Sequence, residues 1–387
     1  MDIPNIEKRI KRKIKARRHS FYAVFPYEFQ REILDEFKDY DVEIISVEKG
    51  GIEFLSSIQE CMNMNLSSAA LTRILLRVST FRAILFSELK RSVSEIEWEL
   101  YLDSTVPLSF KISCHASRLY HTDRIENEVR KGIEKRFSEV CSRKIEFPTE
   151  ENNQTVFIRI NENRVTVSLD STGLPLYMRN IKTEISEAPL RENLAYLLLK
   201  KAGIDSYDTI VDPMSGTGTF SIESYLYKNH IFPGKYRNFA FEYWPVFSRP
   251  AFEFMKKSHA EAKADFLIYA SDISEKNTES INRNFRKAEM DFIAEKKDFF
   301  SIKNNFPGRK VLLVLNPPYG KRLENRSGIP DFYKKIAVKI KEDFTSAGYI
   351  ILCPEFVPCE QCGFDFDEIF VFSHGGIKIN TIIKRQV

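Results

Sequence analysis

Three observations in the sequence predict an α/β protein built in two unlike halves. From Ser186 onward, helical patterns alternate with short apolar runs at 208–211, 266–271, 311–315 and 349–353, as a parallel sheet with crossover helices would read. Before that point, strands alternate apolar and polar residues, the mark of sheets with one covered face. Two of the apolar runs also end in distinctive loops, Asp212-Pro-Met-Ser-Gly-Thr-Gly-Thr219 and Asn316-Pro-Pro-Tyr319.

The elements follow in order. Residues 1–18 form a basic arm: 8–18 read KRIKRKIKARR, eight cations and no acid, so the net +4 of the chain hides −4 in the remainder. Such a run is either a solvated tail or a phosphate-binding arm. Residues 19–70 read as strand, helix, strand over 21–25, 28–37 and 42–47, then a strand at 52–55, forming an N-terminal module. A helix is expected over 66–78 through Leu71, Leu75 and Val78. Within the second module, 71–169, Leu108–Cys114 alternates as a strand and 121–140 is a helix with Ile125, Val129, Ile133 and Phe137 at steps of four. Val156–Ile160 and Val165–Leu169 make a hairpin about Asn161-Glu-Asn163. Residues 170–185 are expected to link this part to the last domain, 186–387, where Ser186 caps a helix ended by Gly203 and 368–383 closes as an antiparallel hairpin.

Composition bounds the partners. The 43% hydrophobic and 29% charged content describes an ordered protein with a sizeable core. Apolar runs are too short for a membrane span, the start of the chain lacks a signal-peptide pattern, and the six Cys have no framework spacing, so a cytoplasmic monomer is expected. Cys359-Glu-Gln-Cys362 is one pair without further ligands in spacing, so no metal is expected.

The Gly-rich loop lets backbone N–H groups approach a ligand just before a helix. A dinucleotide fingerprint needs a third glycine where Ser221 stands and an acid about twenty residues on. Here the acid ending the next strand is Asp272, sixty residues after Asp212, leaving an insertion of roughly 229–264 that holds Trp244. A carboxylate at Asp272 can take both hydroxyls of a ribose, with Ile273 over one adenine face. Asp298 is placed to meet the adenine amino group and Phe299 its other face. An ordinary helix cap is the competing reading of Asp272.

Asn316-Pro-Pro-Tyr319 carries the strongest chemical signal. A base amine is a poor nucleophile because its lone pair is delocalised into the ring. The Asn316 side-chain oxygen and the Pro317 carbonyl can accept its two protons and push the nitrogen toward sp³, while Tyr319 stacks on the base; Pro317 and Pro318 both present carbonyls without an N–H of their own.

With these loops in view, the chain resembles the THUMP-domain RNA guanine-N2 methyltransferases, bacterial enzymes acting on 23S rRNA or tRNA. Asn316-Pro-Pro-Tyr-Gly-Lys-Arg322 is similar to their catalytic loop, and Ala188-Pro-Leu-Arg-Glu-Asn-Leu-Ala195 to the segment that enters their methyltransferase domain. Pro233-Gly-Lys-Tyr-Arg237 with Trp244 resembles their insertion. Leu71–Arg77, Trp98 and Ser117–Thr122 resemble their ferredoxin-like and THUMP modules, which bind RNA. The resemblance implies a Rossmann-like domain on a seven-stranded sheet and S-adenosylmethionine as cofactor. It assigns cofactor contacts to Asp212, Met214, Ser215, Gly216, Thr217, Gly218, Asp272, Ile273, Asp298, Phe299 and Asn316, and catalysis to Asn316, Pro317, Pro318 and Tyr319. Met214, Ser215 and Thr217 depart from the family's usual Phe, Cys and Ser. Two other readings remain: an adenine-N6 methyltransferase on DNA or RNA, and a non-catalytic RNA-binding protein with a degenerate methylase fold.

Overall fold

The computed structural model describes residues 5–141, 145, 147, 154–182, 190–259, 261–318 and 328–386. They divide into two compact units, one of residues 1–176 with 237–258 and the other of 177–236 with 259–387.

The first unit begins with helix α1 (Ile6–Ile10), which continues as a π-helical turn over Lys11–Lys15. The basic arm is therefore docked rather than free. Ile6, Ile10 and Ile14 are buried, each worth about 1.5–3 kcal/mol of hydrophobic burial. Arg9 pairs with Glu97 and Glu99, and Lys13 with Glu97. The charge count concealed this because every third or fourth residue in the run is an isoleucine facing inward.

Strand β1 (His19–Val24), helix α2 (Gln30–Phe37), strands β2 (Glu43–Glu48) and β3 (Gly51–Ser56) follow as the pattern suggested. The helix expected over 66–78 is corrected. Helix α3 (Ile58–Ser67), capped by the Ser57 hydroxyl accepting from the Glu60 N–H at 3.0 Å, shares only residues 66–67 with it, and Arg73–Arg82 is strand β4. Leu71, Leu75 and Val78 share helical spacing by coincidence. β4 lies between β1 and β7, so two strands compete for its backbone, and its Ile74, Val78 and Thr80 suit a pleated surface.

Helices α4 (Phe86–Glu95) and α5 (Thr122–Cys141) flank β5 (Leu108–His115) in the chain, and β6 (Gln154–Asn161) and β7 (Arg164–Asp170) form the hairpin. Glu162 and Asn163 at its tip both have positive φ, 50° and 64°, the two-residue turn that matches strand twist. The sheet order is β2-β3-β1-β4-β7-β6-β5, parallel only at β5–β6. On α5 the four apolar residues at steps of four are all 0% exposed.

In the second unit, helix α6 (Glu192–Lys201) starts later than the sequence suggested; Ser186 lies outside the described residues. Then come β8 (Thr209–Asp212) and α7 (Thr219–Lys228). The chain next makes an excursion: residues 237–258, including α8 (Arg249–Ser258), pack with the first unit. There the buried rings of Phe239 and Phe241 stack at 5.0 Å and Phe252 meets both edge-on at 6.1 and 5.2 Å, and the Arg237 guanidinium donates to the carbonyl oxygens of Thr172, Leu174 and Pro175.

Back in the second unit run β9 (Leu267–Asp272), α9 (Glu275–Lys287), β10 (Glu295–Lys296), β11 (Val311–Leu315), α10 (Ile329–Asp343), β12 (Gly348–Pro354) and the hairpin β13 (Glu368–His374) and β14 (Ile377–Lys384). The sheet has seven strands in the order β10-β9-β8-β11-β12-β14-β13. The first five are parallel, and β14 runs antiparallel to both of its neighbours. β8 leads to β9 on one side while β11 adds on its other side, so the strand order reverses at β8, where such sheets bind ligands. No helix among the described residues is long and apolar enough to cross a membrane.

Candidate active site

Asp212, Asp272 and Asn316 stand at the carboxyl ends of β8, β9 and β11, three neighbouring parallel strands. Strand pairing makes them neighbours although 104 residues separate the first from the last.

The Gly-rich loop is held from both sides. The Ser215 N–H donates to the Ser271 carbonyl at 3.1 Å, and the Gly218 N–H to the Ser215 carbonyl at 2.8 Å. Gly216 and Gly218 have φ of 59° and 80°, which side chains disfavour. A Cβ on Gly218 would come within 3.3 Å of the Phe285 ring, so that glycine serves helix packing. One on Gly216 would meet nothing within 4 Å among the described residues, so this backbone borders space that a ligand can enter. Met214 packs against the hydrophobic core, Thr217 is buried, and the Asn284 amide donates to the Thr217 carbonyl at 3.1 Å.

Asp272 is the brace of the loop. One carboxylate oxygen accepts from the Gly216 N–H at 3.0 Å; the other accepts from the Ser274 N–H at 2.9 Å and the Asn277 amide at 3.1 Å. A carboxylate offers about four acceptor positions, so capacity for a further donor remains. Ile273, beside it, is 69% exposed and free to cover a ligand. Asp298 caps a short helical turn, accepting from the Phe300 N–H at 3.1 Å. Phe299 does not take the expected position. It is 2% exposed, its ring against Phe300 and Phe344, because its apolar neighbours bury it beneath the sheet.

Asp212 is 1% exposed. One of its oxygens accepts from the Ser221 hydroxyl at 2.8 Å and N–H at 3.3 Å, while the other is buried without a partner among the described residues. Ser221, the residue that broke the dinucleotide pattern, thus holds this carboxylate. Burial pushes the Asp212 carboxyl up to about 7, the Ser221 bonds oppose the rise, and the charge of Asp272 adds to it. A carboxyl raised on folding binds its proton more tightly in the folded state, so its contribution weakens stability as pH climbs from about 4 to about 7. The melting temperature of Asp212→Asn relative to the parent is therefore expected to rise as pH goes from 5 to 8. A gap that stays constant over that range would assign Asp212 an ordinary pKa.

Asn316 closes the site. Its side-chain oxygen is buried and without a hydrogen-bond partner among the described residues, an arrangement that costs about 1–3 kcal/mol unless something comes to fill it. Pro317 is buried and Pro318 half-buried; Tyr319 lies outside the described residues. Sequence reasoning missed Lys182, whose ammonium reaches the Thr219 hydroxyl at 2.8 Å and Glu192 at 2.8 Å beside the start of α7. A lone lysine in a connecting segment carried no signal. Cys359 and Cys362 are buried in the core, and no group of three metal-ligating side chains occurs among the described residues.

Comparison with known proteins agrees with this architecture. Residues 179–356 match the RMKL-like methyltransferase domain and residues 85–170 the THUMP domain. A Synechocystis protein described as a candidate RNA methyltransferase is 25% identical over 358 residues, covering 91% of this chain and 92% of that one. The ribosomal RNA large subunit methyltransferase K/L of Psychromonas ingrahamii is 26% identical over 89% of this chain, which spans only 47% of that protein. The crystal structure of SMU.472, a candidate methyltransferase complexed with SAH, superposes with a TM-score of 0.83 at 23% identity, covering 96% of this chain and 99% of the other. The chain joins a THUMP domain to a methyltransferase domain of the RMKL-like kind.

Proposed function

We propose that the chain transfers a methyl group from S-adenosylmethionine to the exocyclic N2 amine of a guanine in rRNA or tRNA. The observation that carries this reading is the buried, unpartnered oxygen of Asn316 at the end of β11, two strands from Asp272. A buried acceptor without a donor suits an incoming N–H pair, and a base amine supplies one.

The residues present fit the cofactor. Asp272 has acceptor capacity for a ribose hydroxyl, exposed Ile273 can cover the adenine, and the open side of Gly216 leaves room for the chain beyond. The free oxygen of Asp212 can accept from the cofactor's ammonium. Asp298 can accept from the adenine amine, whereas the second adenine face needs a ring other than that of Phe299. Bound there, the cofactor supplies an electrophilic methyl group. The chain's own contribution is at the acceptor: Asn316 Oδ1 and the Pro317 carbonyl hold the two amine protons, draw the nitrogen out of conjugation and aim its lone pair. Positioning of this kind accounts for much of the rate of a bimolecular transfer. Tyr319 is the candidate to stack on the base.

RNA as substrate is supported by the THUMP domain and by the names of the relatives, and guanine by the likeness of Asn316–Arg322 to guanine-N2 methylase loops. Adenine offers the same amine to Asn316, so the product decides. Nucleosides digested from RNA incubated with the protein and S-adenosylmethionine are expected to contain N2-methylguanosine on mass spectrometry. N6-methyladenosine alone would overturn the assignment.

A further inference from the structure

The seven-stranded sheet of the first unit has two unlike faces. One carries Phe21, Phe54, Ile74, Ile158 and Val167, all 0–1% exposed. The alternate residues point the other way and line up across the strands. Tyr22 stands opposite Glu53 and Leu75; two residues along β4, Arg77 faces Ser168, which faces Phe157, which faces Lys111. Arg159, two residues beyond Phe157 on the same face, is paired with Thr166 and Ser113.

This face mixes flat rings with cations. Tyr22 and Phe157 are half-buried, Arg159 and Lys111 exposed. The Arg77 guanidinium lies 4.2 Å from the centre of the Tyr22 ring; Arg73 and Lys111 lie 5.5 Å and 5.9 Å from that of Phe157. The Tyr22 hydroxyl donates to Glu48 at 3.3 Å and Glu53 stands opposite Tyr22, so two carboxylates share the Tyr22 end of the cluster with Arg77 and Arg159. Arg73 is held by the buried Asp170. Arg77 makes no close ion pair among the described residues, but it donates to the Ser168 hydroxyl at 3.0 Å and lies within the charge of Glu53 and Glu48, whereas the exposed charges of Lys111 and Arg159 are in no ion pair among the described residues and are available to a partner.

We propose that this face binds a single-stranded segment of the RNA, with bases stacked at Tyr22 and Phe157 and phosphates held by Arg77, Lys111 and Arg159. The inference rests on the reading of the chain as an RNA methyltransferase and adds where a second part of the substrate docks. Half-buried aromatic rings set among cations on a sheet face match unpaired bases, whose faces a duplex would hide in its own stack. A base entering over Tyr22 displaces the guanidinium from the ring, and the released Arg77 turns to the phosphate. The rings stand on β1 and β6, three inter-strand steps or about 14 Å apart, which leaves room for a nucleotide between the stacked ones.

The test uses the full chain, a fluorescent single-stranded 12-mer of mixed sequence and a hairpin of equal length. Phe157→Ala and Tyr22→Ala are each expected to weaken binding of the single strand about five- to a hundredfold, to leave the hairpin nearly unaffected, and to leave S-adenosylmethionine affinity unchanged. Phe157→Tyr keeps a ring and is expected to bind as the parent, which separates stacking from damage to the fold. Arg159→Gln with Lys111→Gln is expected to flatten the salt dependence by roughly 0.7 in slope per lost phosphate contact. Ring variants that bind the single strand as tightly as the parent would overturn the platform while leaving the RNA reading intact, and an equal loss on the hairpin would make the face a duplex site instead. A parent protein that binds neither RNA would instead remove the functional reading beneath it.

Discussion

Asn316→Ala is expected to reduce methyl transfer at least a hundredfold while cofactor affinity stays within about twofold of the parent. The side-chain oxygen is asked to act on the reacting nitrogen as its geometry changes, so its loss belongs in the chemical step and appears in kcat. The scale follows from removing one preorganised hydrogen-bonding group from a catalytic site, which typically costs roughly 10²–10³ in rate. Because Asn316 Oδ1 is buried without a partner among the described residues, none of the bonds described there is lost with it, and the folded state should keep its stability or gain a little. Single-turnover rates with saturating RNA, read beside calorimetric cofactor binding, check this. A variant that retained half its single-turnover rate would remove Asn316 from the chemistry.

Asp272→Ala is expected to weaken S-adenosylmethionine binding by roughly 1.5–3 kcal/mol, or more than tenfold, the range of hydrogen bonds to a charged group. Two losses combine in it. The ribose loses its acceptor, and the Gly216 N–H loses the carboxylate that pins the loop at 3.0 Å. Asp272→Asn separates them, since its amide oxygen can still accept from Gly216 while the charge is gone; an intermediate affinity is expected. RNA binding should not change in either variant. Calorimetry that found cofactor affinity unaltered in Asp272→Ala would return the residue to the role of cap for α9.

The second unit was legible in the sequence because its strands β8, β9 and β11 are largely apolar runs that end at or beside a chemically distinctive residue. Asp212, Asp272 and Asn316 could be placed at strand ends without any coordinates, and the structure brings them to adjacent strands. What could not be read was how each acid is held. The tie from Gly216 to Asp272 joins residues 56 apart, and the choice of Ser221 as partner for Asp212 depends on the angle at which α7 leaves the loop. Phe299 was misplaced for a related reason: an aromatic next to an acid looks like a ligand contact, but its apolar surroundings decide the matter. In the first unit the errors came from overlapping periods. Residues 71–78 satisfy helical spacing and yet form a strand, since two partners are waiting for it, and the basic arm hid three inward isoleucines among its charges.

The excursion of residues 237–258 bears on the order in which the protein is made. The first unit is assembled from 1–176 and from a segment that follows β8 and α7 in the chain. As translation proceeds, its sheet can pair once β7 has emerged, but Phe239, Phe241 and Phe252 arrive only after the opening elements of the second unit have left the ribosome. The first unit therefore cannot finish its core until β8 and α7 of the second have also been made, although it can do so before residues 259–387 follow. For the same reason, a cut made at the connecting segment strands these rings on the wrong fragment. Clean separation of the units requires a short bridge from Tyr236 to His259 in one piece and the transplanted 237–258 segment in the other.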